Sequence, residues 1–299
     1  MLEFNENTNE IVYGLIYFGI SAPLLALYVV VILAVYTRDK QKPNMTYKLI
    51  NFIHYCQVGQ VIGHIISSPF LIFPVLLIKL NTFLRVVGSL MSMCYNSELP
   101  AMAVLAVSRI LIFNNVIKTK SVPSFVKIIF ILLFLFLTVI FFYSCYSGFF
   151  IFLPPAFTFN RTVPYASAIE YAYMASSLTS LAISYASYVV IVYLIYVRKK
   201  DSTSSKNRSN ELSIMIQYTI IVVYISIGVV IWHKAAVWFD IHSPLFRVIM
   251  NAAWIFGCGL NPILILIFNK SVRSECSRIL GFEKIGKIKS ATSATGSLK

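Results

Sequence analysis

The sequence predicts an all-α membrane protein, a seven-transmembrane helix bundle with its N-terminus outside and a short cytoplasmic amphipathic helix after the last span. Three observations predict it. Of the 299 residues, 58% are hydrophobic and 12% charged, about half the charged share of a soluble globular protein. With a mean hydropathy of +0.79, the apolar surface exceeds what one water-facing fold can cover. Seven stretches are long and apolar enough to cross a bilayer, which takes about 20 residues of helix. The cations, finally, gather on every second connection.

Residues 1–10 form an acidic extracellular N-terminus. No basic stretch precedes the first apolar run, so that run is a permanent span rather than a cleavable signal. The spans are residues 11–36, 49–73, 82–114, 127–152, 169–197, 212–233 and 244–268, making 11–268 one seven-transmembrane domain. His54, Gln57, Gln60 and His64 interrupt the second span, and Pro69 and Pro74 lie near its outer end. Spaced three to four apart, those polar side chains share a helix face that can turn toward a bundle interior. A soluble amphipathic helix is the competing reading, but it leaves nothing to carry the chain between its neighbours. The connections are too short to hold a folded domain, and no internal repeat marks a transporter. Residues 269–299 form a cytoplasmic tail that begins as an amphipathic helix and ends in a disordered stretch rich in Ser, Thr, Ala and Gly.

A net charge of +14 would ordinarily raise nucleic acid as a partner. Its placement says otherwise. The connections after the first, third and fifth spans, together with the tail, hold 20 of the 25 Lys and Arg. By the positive-inside rule that side is cytoplasmic, and the basic balance is a sidedness signal with no nucleic-acid partner. Asn160-Arg161-Thr162 is a glycosylation sequon in the longest outer connection, usable only if that loop is lumenal. Asn44, Asn207 and Asn269 begin further sequons on the inner side. Five cysteines without close pairs or CxxC spacing argue against a disulfide scaffold and a zinc site, and no metal or cofactor is expected.

The last span reads Trp254-Ile255-Phe256-Gly257-Cys258-Gly259-Leu260-Asn261-Pro262 and exits as Asn269-Lys270-Ser271-Val272-Arg273. Pro262 removes a backbone hydrogen bond while Asn261 offers a polar side chain to the freed groups, so the pair is a candidate hinge. A static kink is the plainer alternative. The third span ends Ala106-Val107-Ser108-Arg109-Ile110. Together these segments resemble the rhodopsin-like G-protein-coupled receptor superfamily. The Trp, the Gly before Asn-Pro and the Asn-Lys-x-x-Arg exit are most similar to nematode serpentine chemoreceptors of class T or class X.

The resemblance implies a multi-pass plasma-membrane receptor, with sensory cilia a candidate compartment, that binds a small molecule and signals through a heterotrimeric G protein. Arg109, Lys118, Lys120, Arg198 and Lys199 would face that G protein. The inner cations serve topology or anionic lipid equally well, and Arg109 could instead snorkel to head groups. Several family marks are missing. Ser108 stands where an acid often precedes the Arg, Ile265 replaces the tyrosine after Asn-Pro, and residues 153–168 hold no Cys for the usual disulfide to the third helix. Loop closure there would depend on packing at Pro154, Pro155 and Pro164. Cys276 is a candidate for palmitoylation or a free thiol at a buried edge.

Glu98 is the one acid near the middle of a span, 11 residues before Arg109 and therefore about 16 Å deeper on nearly the same helix face. An ionisable group at that depth marks a functional site by default. We expect it to meet Gln57 and Asn261 in a polar cluster that holds water, a proton or a small cation. A protonated Glu bonded to a carbonyl freed by Pro100 is the alternative. Toward the outside, His64, Met91, Tyr95, Tyr171, Tyr173, Met174, Trp232, Asn251 and Trp254 are the expected lining of a pocket for a small, largely apolar ligand. No acid stands at the outer third helix, which disfavours biogenic amines.

The sequence carries no GxSxG serine motif, HExxH, HxxxxD or Gly-rich phosphate loop, and an enzyme is not expected. A seven-span ligand-gated cation channel or a small transporter is the alternative to a chemosensory receptor.

Overall fold

A computed structural model describes residues 7–41, 43–114, 116, 122–197, 205–238 and 243–282. Its helices are α1 (Thr8–Gln41), α2 (Met45–Ile72), the short α3 (Val75–Lys79), α4 (Asn81–Phe113), α5 (Ser124–Ser147), α6 (Ala166–Val197), α7 (Ser205–Trp238), α8 (Pro244–Phe268) and α9 (Lys270–Ile279). An antiparallel hairpin of β1 (Phe150–Leu153) and β2 (Ala156–Phe159) lies between α5 and α6.

Local chemistry sets the boundaries. Asn44 caps α2, its Oδ1 accepting the Thr46 N–H at 3.0 Å, and Asn269 caps α9 through the Val272 N–H at 3.1 Å. Gly148 ends α5 in the left-handed conformation (φ 69°), which only glycine adopts freely. The fourth span therefore stops at Ser147 rather than at 152, and Phe150 to Leu153 pair as a strand instead of continuing the helix. The bundle is thus helical with one small hairpin. α7 also runs beyond the expected 212–233 at both ends.

Six helices, α1, α4, α5, α6, α7 and α8, are long and apolar enough to cross a membrane by length and composition. α2 makes the seventh span with 28 residues, and its polar side chains explain why composition alone passes over it. His54, Gln57, Gln60 and His64 are all buried, turned toward the bundle, while Tyr55 and Ile62 are exposed. α4 is the axial helix, packed against α2, α5, α6 and β1, while α1 packs against α2, α8 and α9. α5 shows Ile131, Leu132, Val139 and Phe142 outward, an apolar surface suited to lipid.

α9 docks beneath α1. Arg38 donates to the Ser271 carbonyl at 3.1 Å and lies 3.7 Å from Glu275, whose carboxylate also receives two Arg278 N–H groups at 3.0 and 2.5 Å. Arg273 caps α8 by donating to the Leu266 and Ile267 carbonyls, each at 2.8 Å. The bundle thus has a hairpin end and a tail end.

Candidate ligand cavity and the polar network beneath it

At the hairpin end the helices enclose a cavity of about 140 Å³. Helical periodicity selects its lining. α4 supplies Ser92, Tyr95 and Asn96, α6 supplies Tyr173 and Ser177, α7 supplies Ile225, Gly228, Val229 and Trp232, and α8 supplies Met250, Ala253 and Trp254. Each set steps by three or four residues and so forms one stripe. Phe150 and Phe159 close the cavity from the hairpin. Phe150 sits 6.4 Å from Trp254 and Phe159 6.5 Å from Trp232, both edge-on.

Of the nine residues proposed from sequence as pocket lining, Tyr95, Tyr173, Trp232 and Trp254 border this cavity. His64 and Met91 are fully buried one layer further out. The His64 ring meets Trp254 edge-on at 5.0 Å, and the Met91 thioether occupies the space a side chain on Gly63 would need. Asn251 is buried, facing Tyr17 on α1. Tyr171 is 66% exposed and Met174 half-buried. Tyr171 precedes Tyr173 by two residues, about 200° around the helix, so a helix that turns Tyr173 inward turns Tyr171 out. Ser92 and Ser177 were legible as the residues one helical turn from Tyr95 and Tyr173. Phe150 and Phe159 were not, because they depend on the hairpin.

Below the cavity a chain of hydrogen bonds leads toward the tail end. The Trp254 indole N–H donates to Gln60 Oε1 at 2.6 Å. An indole N–H can only donate, so the Gln60 amide must present its nitrogen to the other side, where it reaches Glu98 Oε2 at 2.9 Å. Glu98 Oε1 accepts from Gln57 Nε2 at 2.6 Å. Gln57 Oε1 in turn accepts from the Tyr28 hydroxyl at 2.7 Å and from Asn261 Nδ2 at 3.1 Å, and Asn261 Oδ1 accepts from Gln217 at 2.9 Å. The Tyr28 hydroxyl also reaches the Cys258 carbonyl. Glu98 thus meets Gln57 directly and Asn261 at one remove. The expectation from sequence did not include Tyr28, Gln60 or Gln217. Both carboxylate oxygens take side-chain amides, and no bond between Glu98 and the backbone is found among the described residues.

The family profile described as serpentine type 7TM GPCR chemoreceptor Srt matches residues 2–289. The chain belongs to this family. No curated protein matches it. Of the two classes that the sequence resembles, the match is to the T class.

In this Srt chemoreceptor Arg109 is only 9% exposed, packed within the bundle, and lies within electrostatic reach of Tyr188 and Tyr218. Ser108 turns its hydroxyl to the Leu105 carbonyl at 2.7 Å. Asn261 and Pro262 are both buried within α8. At the hairpin end Asn160 is half-buried, and its Oδ1 accepts from the Thr162 N–H at 3.1 Å and hydroxyl at 2.7 Å. Pro154 and Pro155 form the hairpin turn, but the buried side chains that cover the bundle mouth are Phe149, Phe150 and Phe157. Cys276 is 5% exposed on the inward face of α9. That is the placement of a thiol held at a buried edge, packed with Val272 in the apolar core. Lys118, Lys120, Arg198 and Lys199 lie outside the described residues. Among the described residues no cluster of His, Cys, Asp and Glu could hold a metal ion.

Proposed function

We propose that this chemoreceptor takes a small, largely apolar ligand in the cavity at the hairpin end and passes occupancy through the amide chain to a heterotrimeric G protein at the tail end. One observation carries the reading. Trp254 is a wall of the cavity and the donor to Gln60, so a guest that displaces the indole disturbs a hydrogen bond whose next partner is Glu98. The route continues through Gln57 to Asn261, beside Pro262, where α8 has lost a backbone bond and is tied to α2 and α7. Ligand binding then shifts the balance between two helix arrangements. Asn261 and Pro262 act as the hinge, and Glu98, Gln57 and Asn261 as the polar cluster that senses it.

The charge distribution supports an outer N-terminus, with Arg109, Lys118, Lys120, Arg198 and Lys199 on the G-protein side of the plasma membrane. Asn160 would then be available to the glycosylation machinery, and sensory cilia suit a chemosensory role. The test is a panel of small apolar compounds applied to cells expressing the receptor, with second-messenger output measured for the wild type and for Arg109→Ala. The expected result is an output that the substitution abolishes while ligand binding persists. Currents that survive removal of every G protein would overturn the reading in favour of a ligand-gated channel.

A further inference from the structure

The geometry points to an uncharged, ring-sized alcohol or phenol as the ligand class of the cavity, with its hydroxyl held between Asn96 and Ser177. This rests on the proposed role of the cavity as the ligand site. Charge is excluded first. The described lining contains no Asp, Glu, Lys, Arg or His, so an ionised guest would lose its hydration without gaining a counter-charge. Shape comes next. A volume of about 140 Å³ is close to the ~150 Å³ of an apolar cavity that admits benzene. The indoles of Trp232 and Trp254 with Phe150 and Phe159 offer ring faces and edges for T-shaped or offset contacts with a planar guest.

The polar corner narrows the chemistry further. Asn96 Nδ2 donates to the Ser92 carbonyl at 2.8 Å. A carbonyl can only accept, so the amide orientation is fixed and Asn96 Oδ1 is the remaining arm. Among the described residues no donor reaches that oxygen. The Ser92 hydroxyl lies 3.5 Å from the same Asn96 nitrogen and faces Tyr173. Ser177, 5% exposed and on the cavity wall, makes no side-chain hydrogen bond among the described residues. The corner therefore presents to the cavity, from two residues each 5% exposed, one acceptor lacking a donor and one hydroxyl lacking a partner among the described residues. A guest hydroxyl satisfies both, donating to Asn96 Oδ1 and accepting from Ser177. An ether, ester or ketone satisfies only Ser177 and leaves the amide oxygen buried and unpaired, which is costly.

The experiment titrates the purified full-length receptor in phosphatidylcholine nanodiscs with benzyl alcohol and benzyl methyl ether, read by saturable change in tryptophan fluorescence. The expected result is binding of the alcohol about tenfold tighter than the ether, the worth of one hydrogen bond. Asn96→Leu should bring the ratio to about one, with ether affinity held within about twofold, whereas Ser177→Ala, which removes the bond both probes accept, should weaken both about tenfold and leave the ratio at about ten. Equal affinity for the two probes, a preference that survives Asn96→Leu, or probe affinities that Ser177→Ala leaves unchanged overturns the assignment, as does the absence of saturable binding. Gly228→Leu separates the two levels of inference. Gly228 lines the cavity and a side chain there meets open space, so the variant should exclude both probes. Probes that bind Gly228→Leu unchanged refute the cavity itself. Probes that it excludes but the wild type does not discriminate refute only the hydroxyl site.

Discussion

Two glutamates of this receptor are buried to the same degree and held in opposite ways. Glu98, 5% exposed at mid-bundle, receives neutral amides, Gln57 at 2.6 Å and Gln60 at 2.9 Å. Glu275, 4% exposed in α9, receives guanidinium groups from Arg278 and lies 3.7 Å from Arg38. The Glu275 charge is cancelled where it stands, and its partners reach solvent, with Arg38 29% and Arg278 55% exposed. It works as a clamp between α1 and α9. No opposite charge stands beside Glu98 among the described residues. Its carboxyl is supported by dipoles whose other ends are committed to Trp254, Tyr28 and Asn261. Each amide is therefore polarised from both sides, and the energy at Glu98 depends on what those distant partners do. A carboxyl held by opposite charges fixes architecture, and a carboxyl held by shared amides can report on its surroundings.

The largest effect should come from removing the mid-bundle carboxylate. Glu98→Leu strands the Gln57 nitrogen in an apolar interior, leaves the Gln60 nitrogen only the Cys56 carbonyl at 3.3 Å, and should cost about 3 kcal/mol, measured by thermal unfolding of the purified receptor. Glu275→Leu should cost no more than about 1 kcal/mol, because its exposed arginines regain water. A larger loss for Glu275→Leu would break the contrast. Glu98→Gln keeps the shape and removes the titratable group. It should alter the sodium or pH dependence of signalling, and an unchanged response to both would eliminate the sensing role.

A smaller effect should follow from cutting one amide from its distant partner. Trp254→Phe keeps an aromatic wall but removes the N–H that orients Gln60. Binding of a cavity ligand should stay within about twofold while the concentration for half-maximal output rises about tenfold, the worth of one hydrogen bond between neutral groups. Binding and output that weaken in parallel would mean that Trp254 acts only as a wall.

How much of this was legible in the sequence follows the range of the forces involved. The spans are a local property of composition, and helix-capping residues such as Asn269 are readable from their neighbours. The inward face of α2 was visible from the spacing of His54, Gln57, Gln60 and His64, since helix periodicity converts spacing into direction. Glu98 stood out because lipid makes any lone acid conspicuous. What escaped required tertiary information. The Tyr28 hydroxyl reaches the cluster from another helix, and nothing in its own neighbourhood announces that. The hairpin is encoded by Gly148 and the Pro154-Pro155 turn within a run of aromatics that reads equally well as continuing helix. Tyr171 was misplaced because aromatic character was weighed above helix phase.

The smallest effect concerns the clamp, and its sign can be worked out. The Arg278 hydrogen bond holds the Glu275 carboxyl below its ordinary value of 4.5, with Coulomb attraction from Arg278 and Arg38 acting the same way against the opposing effect of burial. A carboxyl whose pKa is lower folded than unfolded contributes stability that is fully present above the ordinary value and is lost as pH falls through the depressed one. Docking of α9 should therefore be insensitive to pH from 7 down to about 5 and loosen below about 4. Hydrogen exchange of the α9 amides, corrected for intrinsic rates, reads this directly. In Glu275→Gln the same amides should exchange somewhat faster at pH 7 and show no further acid loosening, because the titrating group is gone. Acid loosening that persists in the variant would assign it to another carboxyl. Exchange that stays slow in both proteins down to pH 3 would mean that α9 is held by Val272 and Cys276 in the apolar core and not by its charges.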